Sequence, residues 1–286
     1  MAKPEQLTTK IFLDSGNPEE TKEALKTLGF LDGQTTNPSL VTKSPRIVEK
    51  LAGGAHFSES EAISAYRSII EEISNTIPDG SVSVEVYADA TSTTEQLLSQ
   101  GRSFYTWAPN LHVKLPCTKS GIEAAAVLVK EGVRVNMTLC FSQEQAAAVH
   151  VATLGCTLGQ VFISPFVGRL EDRGLRGMDI ISNLVKWYKQ HNSNVSVLAA
   201  SIRSREHMLA AIQKGAHIIT APAAVLIQWN GEVPDHLFVY ADEHMTGISY
   251  EDVPVSDDWH SYNIQHDLTD TGLQKFADDW NHMVGK

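Results

Sequence analysis

The sequence predicts an α/β protein of the (β/α)8 class, a TIM barrel, followed by an acidic C-terminal extension that contains aromatic residues. Short β-rich runs alternate with amphipathic stretches from Ile11 to about Trp229. Eight such units in about 220 residues match the length and rhythm of a closed parallel barrel. The rival architecture, a doubly wound open sheet, normally carries fewer strands and a Gly-rich phosphate turn. Neither G-x-G-x-x-G nor G-x-x-x-x-G-K-[ST] occurs in the chain.

The first strand is read at residues 11–14 and its helix at 18–28. Asn17 caps that helix, Pro18 suits the first helical position, Glu20 stands three after the cap and Gly29 follows the last apolar turn. The second strand occupies 33–36. Pro45 interrupts the stretch 39–51, because its ring blocks a continuous helix, so two short pieces are expected there. Apolar spacing of three and four marks helices at 58–77, 120–130, 143–154, 178–190 and 205–214. The remaining strands fall at 81–86, 111–115, 134–139, 160–164, 196–200 and 218–220. This divides the chain into a barrel, residues 1–230, and an extension, residues 231–286, packed on the barrel or on a neighbouring subunit. The extension runs through Pro234, Asp235, a stretch at 236–240 and an acidic segment at 242–258. It is rich in Tyr, Trp and Phe, which bury against something at that density. Leu273, Phe276, Trp280 and Met283 predict a docked helix over 268–283.

With 286 residues, 42% of them hydrophobic, the chain can bury a large core, and its net charge of -11 argues against nucleic acid as a partner. The acidity is local, since residues 231–286 hold twelve acidic residues against two lysines. Cys117, Cys140 and Cys156 are an odd set without C-x-x-C spacing, which suits a reducing cytoplasm and buried thiols. The opening residues lack the apolar centre of a secretory signal, and no stretch approaches eighteen apolar residues, so a cytoplasmic protein without membrane partners is expected. No H-E-x-x-H occurs among the eleven histidines, and neither metal nor cofactor is expected. His112 is expected to face the helical layer.

Lys114, in Leu111-His112-Val113-Lys114-Leu115-Pro116, is the residue with the most pointed chemistry. An ammonium in an apolar strand loses hydration, which favours the neutral nucleophile that attacks a carbonyl. Most strand lysines instead send their heads to solvent, so the neighbours decide. Active sites of such barrels lie at the carboxyl ends of the strands. Asp14, Thr36-Asn37, Glu85, Lys114, Thr138, Ser164 with Arg169, and Ser201 with Arg203 stand at or just beyond seven of those ends. Each has an ordinary alternative: a helix cap for Asp14, a turn for Asn37-Pro38, a bond to a carbonyl for Thr138, surface ion pairs for the arginines. Their convergence on one rim favours a site.

The stretches Ile11-Phe12-Leu13-Asp14-Ser15, Thr35-Thr36-Asn37-Pro38-Ser39-Leu40, Val84-Glu85-Val86, Val113-Lys114-Leu115-Pro116, Asn136-Met137-Thr138-Leu139, Ile163-Ser164-Pro165-Phe166-Val167-Gly168-Arg169 and Ala199-Ala200-Ser201-Ile202-Arg203 resemble transaldolase, in order and spacing, over residues 11 to about 229. The resemblance implies a class I aldolase in which Lys114 forms the Schiff base, Asp14 is the base for the C4 hydroxyl, and Glu85 with Thr138 positions a water. It further implies that Asn37 and Ser164 hold the dihydroxyacetone hydroxyls beside an apolar wall at Phe166. Arg169, Ser201 and Arg203 match the phosphate-binding positions. The substrates implied are sugar phosphates of the pentose phosphate pathway, with sedoheptulose 7-phosphate or fructose 6-phosphate as donor, and the chain is expected to work without cofactor, as a possible homo-oligomer. Tyr87 and Ile202 depart from the pattern, standing where relatives carry an acidic and an aromatic residue. The segment beyond Trp229 lies outside the resemblance. Two alternatives stand beside this reading: a fructose-6-phosphate aldolase-like lyase, whose members tend to carry Gln where this chain has Glu85, and a non-catalytic barrel that binds sugar phosphates.

Overall fold

Eight short strands, most of them buried along their whole length, have no solvent-facing edge to offer, and they satisfy their backbone by closing on one another. The computed structural model describes residues 2–235, 238–240 and 244–286. Its strands are β1 (Lys10–Asp14), β2 (Gly33–Thr35), β3 (Ser81–Glu85), β4 (Leu111–Pro116), β5 (Val135–Cys140), β6 (Val161–Pro165), β7 (Ser196–Ala199) and β8 (Ile218–Ala221). They form a closed parallel barrel in sequence order, and β8 returns to β1 with Ile218 opposite Lys10. The chain is a TIM barrel, as its sequence predicts.

The helices are α1 (Pro18–Leu28), α2 (Pro38–Val41), α3 (Pro45–Ala52), α4 (Glu59–Thr76), α5 (Thr94–Tyr105), α6 (Lys119–Lys130), α7 (Gln143–Ala152), α8 (Val167–Glu171), α9 (Met178–Gln190), α10 (Arg205–Gln213), α11 (Ala223–Trp229) and α12 (Asp267–Val284). The Asn17 side chain caps α1, and Gly29 closes it in the left-handed conformation at φ 77°. Pro45 does divide its stretch, with α2 ending at Val41 and α3 starting at the proline. The sequence boundaries omitted α5, α8 and α11. For α5 the cue was present: Thr93 and Gln96 form a reciprocal capping box, and Leu97, Leu98 and Phe104 bury its inner face.

The barrel interior is layered. At its floor the Phe12 and Phe162 rings meet edge to face at 6.2 Å, and the His112 ring stacks on Phe162 at 4.0 Å. Gly33 leaves room for this layer, since a Cβ there would lie 2.6 Å from the Phe12 ring. His112 therefore points inward, not to the helical layer. The expectation failed on parity: His112 is two residues from Lys114, so both side chains share one face of the strand. Its Nε2–H donates to the Gly159 carbonyl at 2.9 Å, its Nδ1 accepts from the Ser81 hydroxyl at 2.8 Å, and burial holds its pKa down at about 3. Above the floor, Ser164 donates to the Asn136 carbonyl oxygen at 2.7 Å, and the Asn136 amide donates to Ser83 at 3.0 Å.

Beyond α11 the chain returns over α9, where Trp187 donates its indole N–H to the Val253 carbonyl at 2.8 Å. Gln145 of α7 donates to the Ile264 carbonyl and to Thr269, each at 2.9 Å, and Thr269 donates to the Leu139 carbonyl of β5 at 2.9 Å. These bonds set the start of α12 against the carboxyl end of β5, and the helix continues along α2 and α4. Leu268, Leu273, Phe276, Trp280 and Met283 are buried, the face that the spacing predicts. His236, Leu237, Asp242 and Glu243, which belong to the stretch at 236–240 and the acidic segment, lie outside the described residues. The three cysteines are free and buried. Among the described residues, no helix is long and apolar enough to cross a membrane.

Candidate active site

The register of the barrel brings the chemistry together. Glu85 and Lys114 are direct partners across β3 and β4, and both side chains face inward with about 4% exposure. The Lys114 Nζ lies 2.7 Å from the Glu85 carboxylate and donates to the Thr36 carbonyl at 3.1 Å. Tyr66 of α4 fixes the carboxylate's backbone from outside, its hydroxyl accepting from the Glu85 N–H at 2.9 Å and contacting Thr36 at 3.0 Å. Burial pushes the Glu85 pKa up, against the attraction of Lys114, and repulsion from Asp14 adds to the rise.

Asp14 ends β1 on the same face. Thr35 donates to its carboxylate at 2.7 Å, and Thr35 meets Thr220 of β8 at 2.6 Å. Burial raises the Asp14 pKa as well, while Lys114 and the Thr35 bond oppose it. Two desolvated carboxyls thus flank one ammonium, an arrangement suited to passing protons near the amine.

Asp14, Asn37, Lys114, Ser164, Phe166, Arg169 and Ser201 line one cavity of about 170 Å³ at the carboxyl ends of the strands. Glu85 is not part of its wall. Thr138 is buried, opposite Pro116 in the register, and its hydroxyl has no hydrogen-bond partner. A hydroxyl buried in that state is suited to holding a water. Asn37 has two placements at once, since its carbonyl oxygen also caps α2 by accepting from Leu40 N–H at 2.9 Å. Ser201 adopts φ 58°, a left-handed conformation that a non-glycine residue keeps only under constraint. A larger cavity, about 770 Å³, opens among residues such as Lys10, Phe162 and His217 at the opposite end of the barrel, away from this constellation.

Arg203 stands beside the cavity with its side chain directed to another partner. Its guanidinium forks onto the Asp172 carboxylate, with one bond at 2.6 Å, and its side chain is 47% exposed outside the cavity wall. Gly168 permits this course, because a Cβ there would lie 2.5 Å from the Arg203 Nε. Asp172, at the end of α8, offers a planar partner for both nitrogens, which sequence spacing does not reveal. Arg169 stays at the mouth between two rings, 5.4 Å from the Phe166 centroid and 5.6 Å from that of Phe276. Burial pulls its pKa down, and Glu85 pulls it back up.

Asn136, Lys275 and Phe276 are among the residues of the site that carry no role in the sequence reading. Asn136 sits under the cavity, tied to Ser164, and its signal was its position two residues before Thr138 on the same strand face. Lys275 and Phe276 reach the cavity from α12. The Phe276 centroid lies 5.8 Å from the Lys114 Nζ. Gly272 of the same helix is packed so closely that a Cβ would stand 2.6 Å from Arg169 Nη1. Of the two departures, Tyr87 lies outside this cavity and donates to Asp89 at 3.0 Å, and Ile202 is buried. Among the described residues, no group of three or more His, Cys, Asp or Glu is placed to hold a metal ion.

Residues 11–286 match the family model described as Transaldolase/Fructose-6-phosphate aldolase. The chain belongs to the transaldolase/fructose-6-phosphate aldolase family. It is 39% identical over 274 residues to a probable transaldolase of Dehalococcoides mccartyi, covering 96% of this chain and 99% of that one. A probable transaldolase of Roseiflexus sp. is 36% identical over 272 residues, 95% of this chain and 96% of the relative. One from Clostridium perfringens is 32% identical over 277 residues, covering 97% of this chain and all of the relative. The family match runs to the last residue, so α12 falls within the transaldolase/fructose-6-phosphate aldolase length. The expectation that the segment beyond Trp229 stands outside it is corrected here: strand-end motifs locate the barrel, and a surface helix carries none.

Proposed function

We propose that the protein is a transaldolase that moves a dihydroxyacetone unit from a ketose phosphate, sedoheptulose 7-phosphate or fructose 6-phosphate, to an aldose phosphate through a Schiff base on Lys114. The observation that carries this reading is the buried Lys114 Nζ at 2.7 Å from the Glu85 carboxylate, in a cavity that also holds Asp14.

Glu85 takes a proton from the Lys114 ammonium, a transfer favoured by the raised basicity of a desolvated carboxylate. The free amine adds to the C2 carbonyl, and loss of water from the carbinolamine leaves an iminium. A water held between Glu85 and the unpaired Thr138 hydroxyl carries protons for that step and for its reversal. Asp14, made more basic by burial, takes the C4 hydroxyl proton. The C3–C4 electron pair then flows into the iminium, and the first aldose departs. The bound enamine attacks the second aldose phosphate, and hydrolysis of the new iminium returns Lys114. Arg169 and Ser201 hold the substrate phosphate, while Asn37 and Ser164 bond the dihydroxyacetone hydroxyls against Phe166. Arg203 joins the phosphate by leaving Asp172, an exchange between two anionic partners at the surface. The reading also puts the protein in the cytoplasm and in the pentose phosphate pathway.

The carboxylate at position 85, where aldolases of this family tend to carry Gln, favours transfer over release of free dihydroxyacetone. Incubation with fructose 6-phosphate and borohydride should add the mass of one reduced sugar adduct to the peptide containing Lys114. An unmodified Lys114 peptide under those conditions rules the mechanism out.

A further inference from the structure

We infer that Lys275 of α12 is a phosphate-binding residue of this site, taking the terminal phosphate of a sugar phosphate together with Arg169 and Ser201. The identity of the ligand rests on the transaldolase reading; the placement of the cation does not.

Lys275 lines the same cavity as Lys114, Arg169 and Ser201. Of the cations in that wall, Lys114 is engaged with Glu85, and Arg203 lies outside, bound to Asp172. Arg169 and Lys275 are thus the cations already at the cavity when a dianion arrives, before Arg203 exchanges Asp172 for it. The helix that carries Lys275 is pressed against Arg169: Gly272 gives the guanidinium room, and the Phe276 ring lies 5.6 Å from it. The two cations therefore reach one cavity from two adjoining elements, Arg169 from α8 and Lys275 from α12.

What holds Lys275 now is weak. Its partner is Asp279, one turn along the helix at 3.3 Å, and the lysine side chain is 61% exposed. Such solvent-facing pairs bind loosely, and a phosphate bearing close to two negative charges attracts an ammonium more strongly than one carboxylate. Asp279 is not stranded by the exchange, because the Ser39 hydroxyl also donates to it. Lys275 thus moves from Asp279 to the ligand without leaving a bare carboxylate. An ordinary surface lysine would show the same ion pair and no effect on ligand.

Glucitol 6-phosphate has no carbonyl and forms no imine, so calorimetric titration with it reads phosphate binding apart from chemistry. Lys275→Met should weaken its binding about tenfold, Lys275→Arg should stay within about twofold of wild type, and the salt dependence of affinity should be shallower in Lys275→Met. With fructose 6-phosphate as donor, KM should rise by a similar factor and kcat should change less. Equal affinity of Lys275→Met and wild type for glucitol 6-phosphate, or no measurable binding by wild type, overturns the assignment. A wild-type protein that binds glucitol 6-phosphate through Lys275 yet traps no borohydride adduct overturns the transaldolase reading alone.

Discussion

Replacing Lys114 with Met leaves the Glu85 carboxyl by itself in the barrel wall, and the consequence for stability depends on pH. Met matches the length of the lysine stem, so packing changes little. The cost is electrostatic. Removing one partner of a buried ion pair costs about 3–5 kcal/mol when the remaining charge has no other escape. Glu85 has one, because burial already raises its pKa above 4.5 and Lys114 opposes that rise. Without Lys114 the folded-state pKa climbs further, and the folded protein holds its proton more tightly than the unfolded chain does. Below about pH 4.5 both states are protonated and no penalty exists; as pH rises through the folded-state pKa the penalty grows, by up to about 1.4 kcal/mol per pH unit. A total of about 3–5 kcal/mol is therefore spread over about two to four pH units above 4.5. Urea unfolding midpoints at pH 5, 6, 7 and 8 should show Lys114→Met close to wild type at pH 5 and progressively weaker above it. The double variant Lys114→Met with Glu85→Gln should keep only the part of the slope that belongs to Asp14, whose raised pKa Lys114 also opposes. A constant offset across the series, or a slope undiminished in the double variant, would refute the picture of a desolvated Glu85 carboxyl neutralised by Lys114.

Glu85→Gln keeps the shape of the site but removes its proton acceptor, so transfer should fall by at least about tenfold while the share of turnovers releasing free dihydroxyacetone rises; an unchanged product ratio by chromatography counts against the role of Glu85. Gly272→Ala should gain up to about 1 kcal/mol from helix propensity. Its Cβ would nevertheless meet Arg169 Nη1 and a Leu139 methyl, each at 2.6 Å, so KM for phosphorylated donors should rise several-fold with the fold intact by circular dichroism. His112 keeps a folded-state pKa of about 3 against an ordinary 6.5, so the unfolded chain binds its proton first and stability drains as pH falls from about 6.5 towards 3; His112→Gln should show a shallower loss over that window in urea titrations. Amides of α12 that exchange with solvent as fast as free peptide would contradict its docking through Gln145 and Thr269.

Much of the site was legible because barrel geometry turns strand ends into neighbours. Asp14, Lys114, Ser164 and Ser201 converge as soon as eight parallel strands are recognised, since their carboxyl ends form one rim. Asn136 and His112 were equally readable from their even spacing to Thr138 and Lys114, and were missed or misplaced only where that parity was not applied. The phosphate side was less legible. Arg203 shares its loop with Ser201, yet a bidentate partner at Asp172 directs its side chain outward.

The sequence by itself determined the number of strands, most helix boundaries and the faces that carry chemistry, because period-two and three-to-four patterns, caps and prolines act over a few residues. Only the tertiary structure decided that α12 supplies Lys275 and Phe276 to a mouth built from residues 14 to 220, and that Arg203 pairs with Asp172. Those outcomes depend on contacts between segments far apart in the chain, where competing partners and close packing, such as Gly272 against Arg169, select one arrangement among many that local pattern allows.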